Sequence, residues 1–207
     1  RRLGFDNINV DIMSSIPRQT MLSYRNTLEK VVDLGPDHIS SYSLILEPGT
    51  PFYDWYSDPM RARELPNEKI DRDMYHYTKE FLAINGYDRY EISNYAKEGK
   101  ECKHNLVYWT LGDYIGFGLG ASSFFEGKRF SAPRTKDEYW KYARNAYNEF
   151  RFLPPRSEKE AMEEYMFLGL RTMKGVSVNK FEEKFNEDFS ILYGGVTATL
   201  IDTGMME

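Results

Sequence analysis

Cysteine is nearly absent from this sequence of 207 residues, in which Cys102 is the single example. One thiol cannot form an intrachain disulfide, and such low cysteine usage is typical of proteins from a reducing compartment. Long apolar runs are also absent, since none approaches the roughly 18 residues that a membrane-spanning helix needs. We therefore expect a cytoplasmic protein with no membrane span.

Positive charge is in deficit, because 27 lysine and arginine residues face 32 acidic residues and the formal net charge is −5. Nucleic-acid-binding surfaces need clustered basic side chains, so we expect no nucleic-acid partner. The sequence is 41% hydrophobic and 15% aromatic, which is the composition of a folded protein with an aromatic-rich core. Both ends resemble helix termini that have been cut, and we expect a fragment of a longer protein.

The first 46 residues carry the pattern of a β–α–β unit. Residues 7–13 alternate between apolar and polar side chains, as a strand does, and residues 38–46 predict a second strand. Thr20 can cap a helix between them. Two strands connected in this way are parallel, with a right-handed crossover. Ligands gather at the carboxyl ends of such strands, which places Asp11–Ser14 and Ile45–Glu47 on one rim.

The later elements follow less regular patterns. Residues 48–66 contain four prolines and predict a long loop with functional potential. Further strands are predicted at 87–96, 104–109 and 113–125, the last two antiparallel to one another. Helices are predicted at 67–85, 136–152, 157–174 and 179–186.

Asp11 is the first candidate binding residue, because it closes the polar side of the first strand at the predicted rim. A carboxylate there can accept two hydrogen bonds from a ribose diol, or it can hold loop amides as strand-end aspartates do. Together with Glu47 and Glu91 it could also form a carboxylate set for acid–base chemistry or a hard metal ion.

Residues 102–125 hold the second candidate site. Neutral imidazole is a common axial ligand of haem iron, so His104 is either a haem ligand or a structural histidine. Tyr108 and Trp109 offer flat surfaces that would stack on a porphyrin or pack in a core. The glycines at 116, 118 and 120 let the backbone approach a ligand, but they lack the spacing of dinucleotide- or phosphate-binding loops.

Five segments together resemble the second half of radical SAM proteins. The relevant group contains the oxygen-independent coproporphyrinogen III oxidases and the HemW-type haem chaperones. The segments are NINVDIMSSIPRQT at 7–20, LGPDHISSYSLILEPGTPF at 34–52, GYDRYEISNYA at 86–96, HNLVYW at 104–109 and GDYIGFGLGASSF at 112–124. HNLVYW resembles the H-N-x-x-Y-W signature of the HemW branch, which the oxidases do not share.

This resemblance implies a fold that is α/β and α+β: the C-terminal part of an incomplete (β/α)6 TIM-like barrel, followed by a mixed α/β region. Residues 1–65 would be the last part of the barrel, 66–133 a helix with antiparallel strands, and 134–207 a truncated, winged-helix-like helical domain. In the full-length protein, S-adenosyl-L-methionine (SAM) and a [4Fe–4S] cluster would lie at the barrel rim. The family's C-x-x-x-C-x-x-C cluster motif is absent here, so this chain by itself is expected to be inactive.

The resemblance also carries residue roles onto this sequence. Asp11, Ile45 and Ser122 correspond to SAM contacts, Ile45 through its backbone. The haem-site candidates are His104, Asn105, Tyr108 and Trp109.

The function implied by the resemblance is haem chaperoning, in which haem is bound and passed to an acceptor protein. The alternative within the group is oxidation of coproporphyrinogen III to protoporphyrinogen IX. A non-catalytic, protein-binding adaptor is a different class, with Phe181 and Phe185 as exposed anchors. A barrel hydrolase that uses the Asp11, Glu47 and Glu91 carboxylates is the remaining alternative.

Overall fold

A computed structural model describes residues 1–154 and 156–206, with the side chains of 147–149, 151 and 152 outside that description. The chain divides into two compact units, Arg1–Cys102 and Lys103–Glu207. Each unit has a hydrophobic core of its own. The structure confirms the predicted mixture of helices and strands.

The first unit contains a four-stranded sheet built on the predicted β–α–β unit. Its strands are β1 (Asn9–Ser14), β2 (His38–Ser43), β3 (Asp88–Arg89) and β4 (Asn94–Ala96), and their order is β1-β2-β4-β3. β1 and β2 are parallel, as predicted, and helix α1 (Met21–Asp33) connects them. Thr20 caps α1, and its hydroxyl accepts the Ser23 N–H at 3.2 Å. The sequence pattern was therefore sufficient to predict this unit.

The single strand predicted over 87–96 is wrong, because the chain reverses there and forms the antiparallel pair β3 and β4. The Glu91 carboxylate accepts the Ser93 N–H at 2.9 Å and closes the turn. The Tyr90 N–H donates to the Asn94 carbonyl at 3.2 Å across the hairpin. When a side chain such as that of Glu91 accepts a backbone N–H two residues further along the chain, it stabilises a turn at the expense of an extended strand.

The long loop predicted over 48–66 is also wrong, because it contains two short helices. These are α2 (Pro51–Tyr56) and α3 (Pro59–Ala62). Thr50 and Asp58 cap them, and in each a proline occupies the first turn, where its missing N–H needs no partner. Two of the four prolines that predicted a loop, Pro51 and Pro59, are therefore the first residues of helices.

The core of the first unit lies between the sheet and two helices. Helix α4 (Glu68–Ile84) confirms the helix predicted over 67–85, and α1 packs beside it. The buried side chains from the sheet and the two helices include Ile12, Tyr24, Leu28, Ile39, Met74 and Leu82. Tyr24 is completely buried, and its hydroxyl bonds Ser41 at 2.9 Å and Thr78 at 2.7 Å. Burial raises the pKa of Tyr24, so the phenol stays protonated.

The second unit begins with a helix where a strand was predicted. Residues 104–109 lie in α5 (Lys103–Trp109), and the Gly112 N–H donates to the Val107 carbonyl at 2.8 Å where the helix ends. The strand expectation came from the β-forming residues Val107, Tyr108 and Trp109. Packing overrides this weak preference, because helical geometry brings Tyr108 against Tyr114, with ring centroids 4.5 Å apart.

A short hairpin follows α5 in place of the long strand predicted over 113–125. β5 (Ser122–Phe125) pairs with β6 (Lys128–Ser131), and Tyr114 contributes an isolated bridge to Phe124. The glycine-rich segment 116–120 lies between Tyr114 and the start of β5. The antiparallel partner of β5 is therefore the next strand along the chain and not 104–109.

Helices make up the rest of the second unit as far as residue 206 is described, with residue 155 outside the description. They are α6 (Lys136–Phe152), α7 (Glu158–Gly169), α8 (Val178–Phe185) and α9 (Phe189–Asp202). The predicted capping box of Ser157 and Glu160 starts α7, but α7 ends at Gly169 and not at Lys174. The chain turns back there, and a Cβ on Gly169 would lie 2.6 Å from a Val176 methyl.

The core of these helices contains the two phenylalanines that the adaptor hypothesis needed on the surface. Phe181 is fully buried and Phe185 is 9% exposed, and both pack with Met166. The predicted exposed anchors are therefore wrong, because α8 turns its aromatic face toward α7 and α9. Across residues 1–154 and 156–206, none of the helices has the length and apolar character that crossing a membrane would require.

Candidate functional site

A chain of hydrogen bonds runs along one face of the sheet to Asp11. Asp11 lies exposed on β1, and the Asn9 side-chain amide donates to its carboxylate at 2.6 Å. Asn9 then offers its amide oxygen to Nδ1 of His38, 2.7 Å away on the neighbouring strand. His38 Nδ1 therefore carries the proton, and Nε2 accepts the Tyr90 hydroxyl at 2.8 Å.

The surroundings of His38, the histidine in this series of hydrogen bonds, favour its neutral form. His38 is 5% exposed, and burial lowers its pKa, while the negative charge of Asp11 opposes this effect only in part. A neutral imidazole with one donor and one acceptor matches both neighbours. The hydrogen bond from Asn9 orients the Asp11 carboxylate, which can accept further hydrogen bonds from a donor such as a ribose hydroxyl. The sequence pattern did not identify His38, although its place opposite Asn9 follows from the parallel register.

A second polar cluster holds the carboxyl ends of β1 and β2. The Ser43 hydroxyl donates to Asp71 at 2.6 Å and lies 3.1 Å from the Ser14 hydroxyl. Ser15 also donates to Asp71, which stands in the first turn of α4. The cluster fastens α4 to both strand ends. Ile45 lies two residues beyond the end of β2 and is 74% exposed.

The three predicted carboxylates have different surroundings. The Glu91 side chain is 1% exposed and accepts the Ser93 N–H, whereas Glu47 is exposed on the loop after β2. No group of three His, Cys, Asp or Glu side chains within the described residues could hold a metal ion. The prediction that these carboxylates bind a metal ion is therefore wrong, and their use in acid–base chemistry stays a prediction.

Helix α5 presents the predicted histidine to solvent. His104 is exposed, and the Tyr108 hydroxyl lies 2.6 Å from its Nε2, one helical turn away. Their rings meet edge to face, with centroids 4.9 Å apart. Asn105 is half-buried on the same helix. The structure thus brings His104 and Tyr108 together and leaves the imidazole accessible to a ligand.

Trp109, at the end of α5, has a neighbour that the sequence pattern missed. The guanidinium carbon of Arg171 lies 4.7 Å from the centre of the Trp109 ring. The Trp109 indole nitrogen and the Arg171 Nε are both buried, and neither has a hydrogen-bond partner in the described part of the chain. Two unpaired donors beside one another are unusual in a native fold. Sixty-two residues separate them, so no local signal connects the pair.

Ser122 begins β5 and lies exposed, with its hydroxyl 3.0 Å from that of Ser131. The backbone beside it is tightly packed. A Cβ on Gly116 would lie 2.3 Å from the Ser122 carbonyl oxygen, and the Gly116 N–H donates to the Ser123 hydroxyl at 3.0 Å. The glycine at 116 therefore permits a close approach of two backbone segments. Ser122 belongs to the second unit, whereas Asp11 and Ile45 belong to the first.

The residues of this chain are suited to haem but not to a [4Fe–4S] cluster. A [4Fe–4S] cluster is held by several cysteine thiolates, and the lone Cys102 does not fit such a group. Haem needs an accessible donor such as imidazole together with apolar or aromatic surface. The exposed His104 and the rings beside it on α5 meet this requirement.

Comparison with known proteins first defines the class. Residues 157–207 match the family described as the HemN C-terminal domain. The fold matches the solved structure of coproporphyrinogen III oxidase (HemN) from Escherichia coli, a radical SAM enzyme, with a TM-score of 0.71. That match covers 98% of this chain and 49% of the other at 17% identity, and it therefore establishes the fold alone. The chain has the fold of part of a HemN-like radical SAM protein.

Curated relatives narrow the resemblance to one branch. The whole chain is 39% identical to the heme chaperone HemW of Lactococcus lactis and covers 53% of that protein. It is 35% identical to the heme chaperone HemW of Bacillus subtilis, again over all of this chain and 54% of the relative. The chain thus spans about half the length of the curated relatives it matches. The resemblance to HemW-type radical SAM proteins, predicted from five short segments, is confirmed.

Proposed function

We propose that the chain forms part of a HemW-type haem chaperone, which binds haem and passes it to an acceptor protein. The observation that carries the proposal is the exposed His104 on α5, within a chain that is 39% identical to a heme chaperone over its whole length. Oxidation of coproporphyrinogen III is not part of the proposal, because the likeness to that oxidase concerns the fold at 17% identity.

The haem site in this proposal is built on α5 from His104, Asn105, Tyr108 and Trp109. When bound, haem supplies an iron centre that an imidazole can ligate. The Tyr108 hydroxyl lies 2.6 Å from Nε2 of His104, and this hydrogen bond orients the imidazole ring. His104 is the residue that would ligate the iron, and its contact with Tyr108 would hold the imidazole ring in place.

The SAM-related part of the proposal concerns Asp11, Ile45 and Ser122. Asp11, fixed by Asn9, accepts hydrogen bonds from the ribose of the nucleoside, and Ile45 offers backbone groups beyond β2. The cluster is supplied by cysteines outside this chain, since Cys102 is its single thiol. In this scheme residues 1–65 belong to an incomplete (β/α)6 barrel, 66–133 to the mixed region, and 134–207 to a winged-helix-like end. We place the protein in the cytoplasm, where a free cysteine is stable.

A haemin titration followed by absorbance tests the haem site. We expect a saturable Soret band near one equivalent for this chain, and a weaker or shifted band for His104→Ala. His76→Ala is the matched control, because His76 is also exposed and lies on a helix, α4. Equal spectra for the chain and His104→Ala would place the axial ligand elsewhere. No saturable binding by the unmodified chain would contradict haem binding by this half of the protein.

A further inference from the structure

Arg171 differs from the other stacked arginines of its unit. Arg129 and Arg156 also lie over an aromatic ring, that of Phe124, but both are ion-paired with Glu164. The Arg171 guanidinium lies over Trp109 at 4.7 Å and over Phe167 at 5.7 Å. Across the described residues it makes no ion pair, and its Nε has no acceptor. The guanidinium lies over both rings, and none of the described carboxylates neutralises it.

A guanidinium in this setting is suited to an external carboxylate. Ring stacking uses the flat face of the group and leaves its edge for hydrogen bonding. Carboxylates bind that edge in a two-pronged geometry, which is the strongest pairing available to arginine. The unpaired indole N–H of Trp109 is a further donor at the same place. An unpaired buried donor is unfavourable, so an acceptor that enters here gains from both groups.

The surroundings of Arg171 are apolar. Phe167 is 62% exposed, and Leu170 and Met173 are each 48% exposed, all at the end of α7 or in the turn after it. Exposed apolar side chains near one cation suit a ligand that is flat and apolar with a carboxylate at its edge. Porphyrins that carry propionate side chains have this chemistry.

We propose that Arg171, whose guanidinium lies over the rings of Trp109 and Phe167, binds a propionate carboxylate of the porphyrin. The inference rests on the proposed haem-binding function and extends it, because it assigns a residue outside the H-N-x-x-Y-W segment and a part of the ligand other than the iron. Trp109 then acts as a platform for the arginine as well as a surface for the macrocycle.

The test compares iron(III) mesoporphyrin IX with its dimethyl ester, which lacks the two negative charges. Both are titrated into the full chain, Arg171→Gln, Arg171→Lys and the control Arg129→Gln. The unmodified chain is expected to bind the free acid about tenfold more tightly than the ester, as a charge-assisted hydrogen bond allows. Arg171→Gln removes that preference by weakening the acid alone. Arg171→Lys retains part of it, and Arg129→Gln retains all of it.

Three outcomes would overturn the proposal, and they separate its failure from that of haem binding. If Arg171→Gln keeps the preference for the free acid, the carboxylate is bound elsewhere while haem binding stands. If Arg171→Gln weakens acid and ester equally, the side chain only supports the Trp109 ring. If the unmodified chain binds neither porphyrin, the proposed function is wrong for this chain, and the role of Arg171 is wrong with it.

Discussion

The stability of the first unit should depend on pH through His38. This side chain is 5% exposed and lies between Asn9 at 2.7 Å and the Tyr90 hydroxyl at 2.8 Å. Burial lowers the pKa of His38 in the folded protein, so the unfolded chain binds more protons near the ordinary histidine pKa of about 6.5. The contribution of His38 is therefore complete above that pH. It is lost as the pH falls from the unfolded value through the lower folded value.

The size of the expected effect follows from the number of protons bound on unfolding and from the hydrogen bonds of His38. Between the two pKa values, the free energy of unfolding falls by at most about 1.4 kcal/mol per pH unit, the limit for one proton. Substitution His38→Leu removes two hydrogen bonds, each worth roughly 0.5–1.5 kcal/mol, and leaves their partners less well satisfied. We expect His38→Leu to be destabilised by about 2 kcal/mol at pH 7.5 and to show a flatter pH dependence between pH 7.5 and 5.

Urea unfolding followed by circular dichroism at several pH values measures both quantities. His76→Leu is the matched control, because His76 is exposed on α4 and should leave the pH profile unchanged. If His38→Leu keeps the slope of the unmodified chain, another group controls the acid sensitivity. The neutral, doubly bonded imidazole would then be the wrong description of the chain of bonds that leads to Asp11.

Four further substitutions, one of them a control, test packing. Tyr24→Phe removes a hydroxyl bonded to two buried hydroxyls and should lower the free energy of unfolding by about 1–2 kcal/mol in urea titrations, where an unchanged midpoint would contradict that network. Phe181→Ala empties the centre of the helical core and should cost about 3–5 kcal/mol in the same assay, a loss that a surface anchor would not show. Gly116→Ala drives a Cβ against the Ser122 carbonyl and should lower the melting temperature, whereas Gly195→Ala, which meets open space in α9, should raise it slightly. Equal effects at the two glycines would refute the close approach.

Local patterns predicted the regular elements of this chain well. The alternation at 7–13 and the cap at Thr20 were enough to predict two parallel strands and the helix between them, because period and capping act within a few residues. Where local preferences conflicted with packing, the predictions were wrong. Residues 104–109 are β-forming by composition yet helical, because only a helix places Tyr108 against both His104 and Tyr114.

Some residues of the candidate site can be predicted from local sequence patterns, and others cannot. The H-N-x-x-Y-W segment and Asp11 could be recognised in the sequence from residue type and short spacing. Their place in the fold could not, because Asp11 lies within β1 and not at its end, and residues 104–109 form a helix in place of the predicted strand. Arg171 beside Trp109 and His38 beside Asn9 join residues that are far apart in the chain, and no local pattern connects them.

By itself, the sequence determined the β–α–β unit, the single thiol and the five motifs that mark HemW-type relatives, because each of these depends on residue type and short spacing. Only the tertiary structure decided which polar groups are buried, which are paired and which stay without a partner. Burial depends on contacts between distant segments. That is why the buried Phe181 and Phe185, the neutral His38 and the unpaired Arg171 became apparent only in the folded chain.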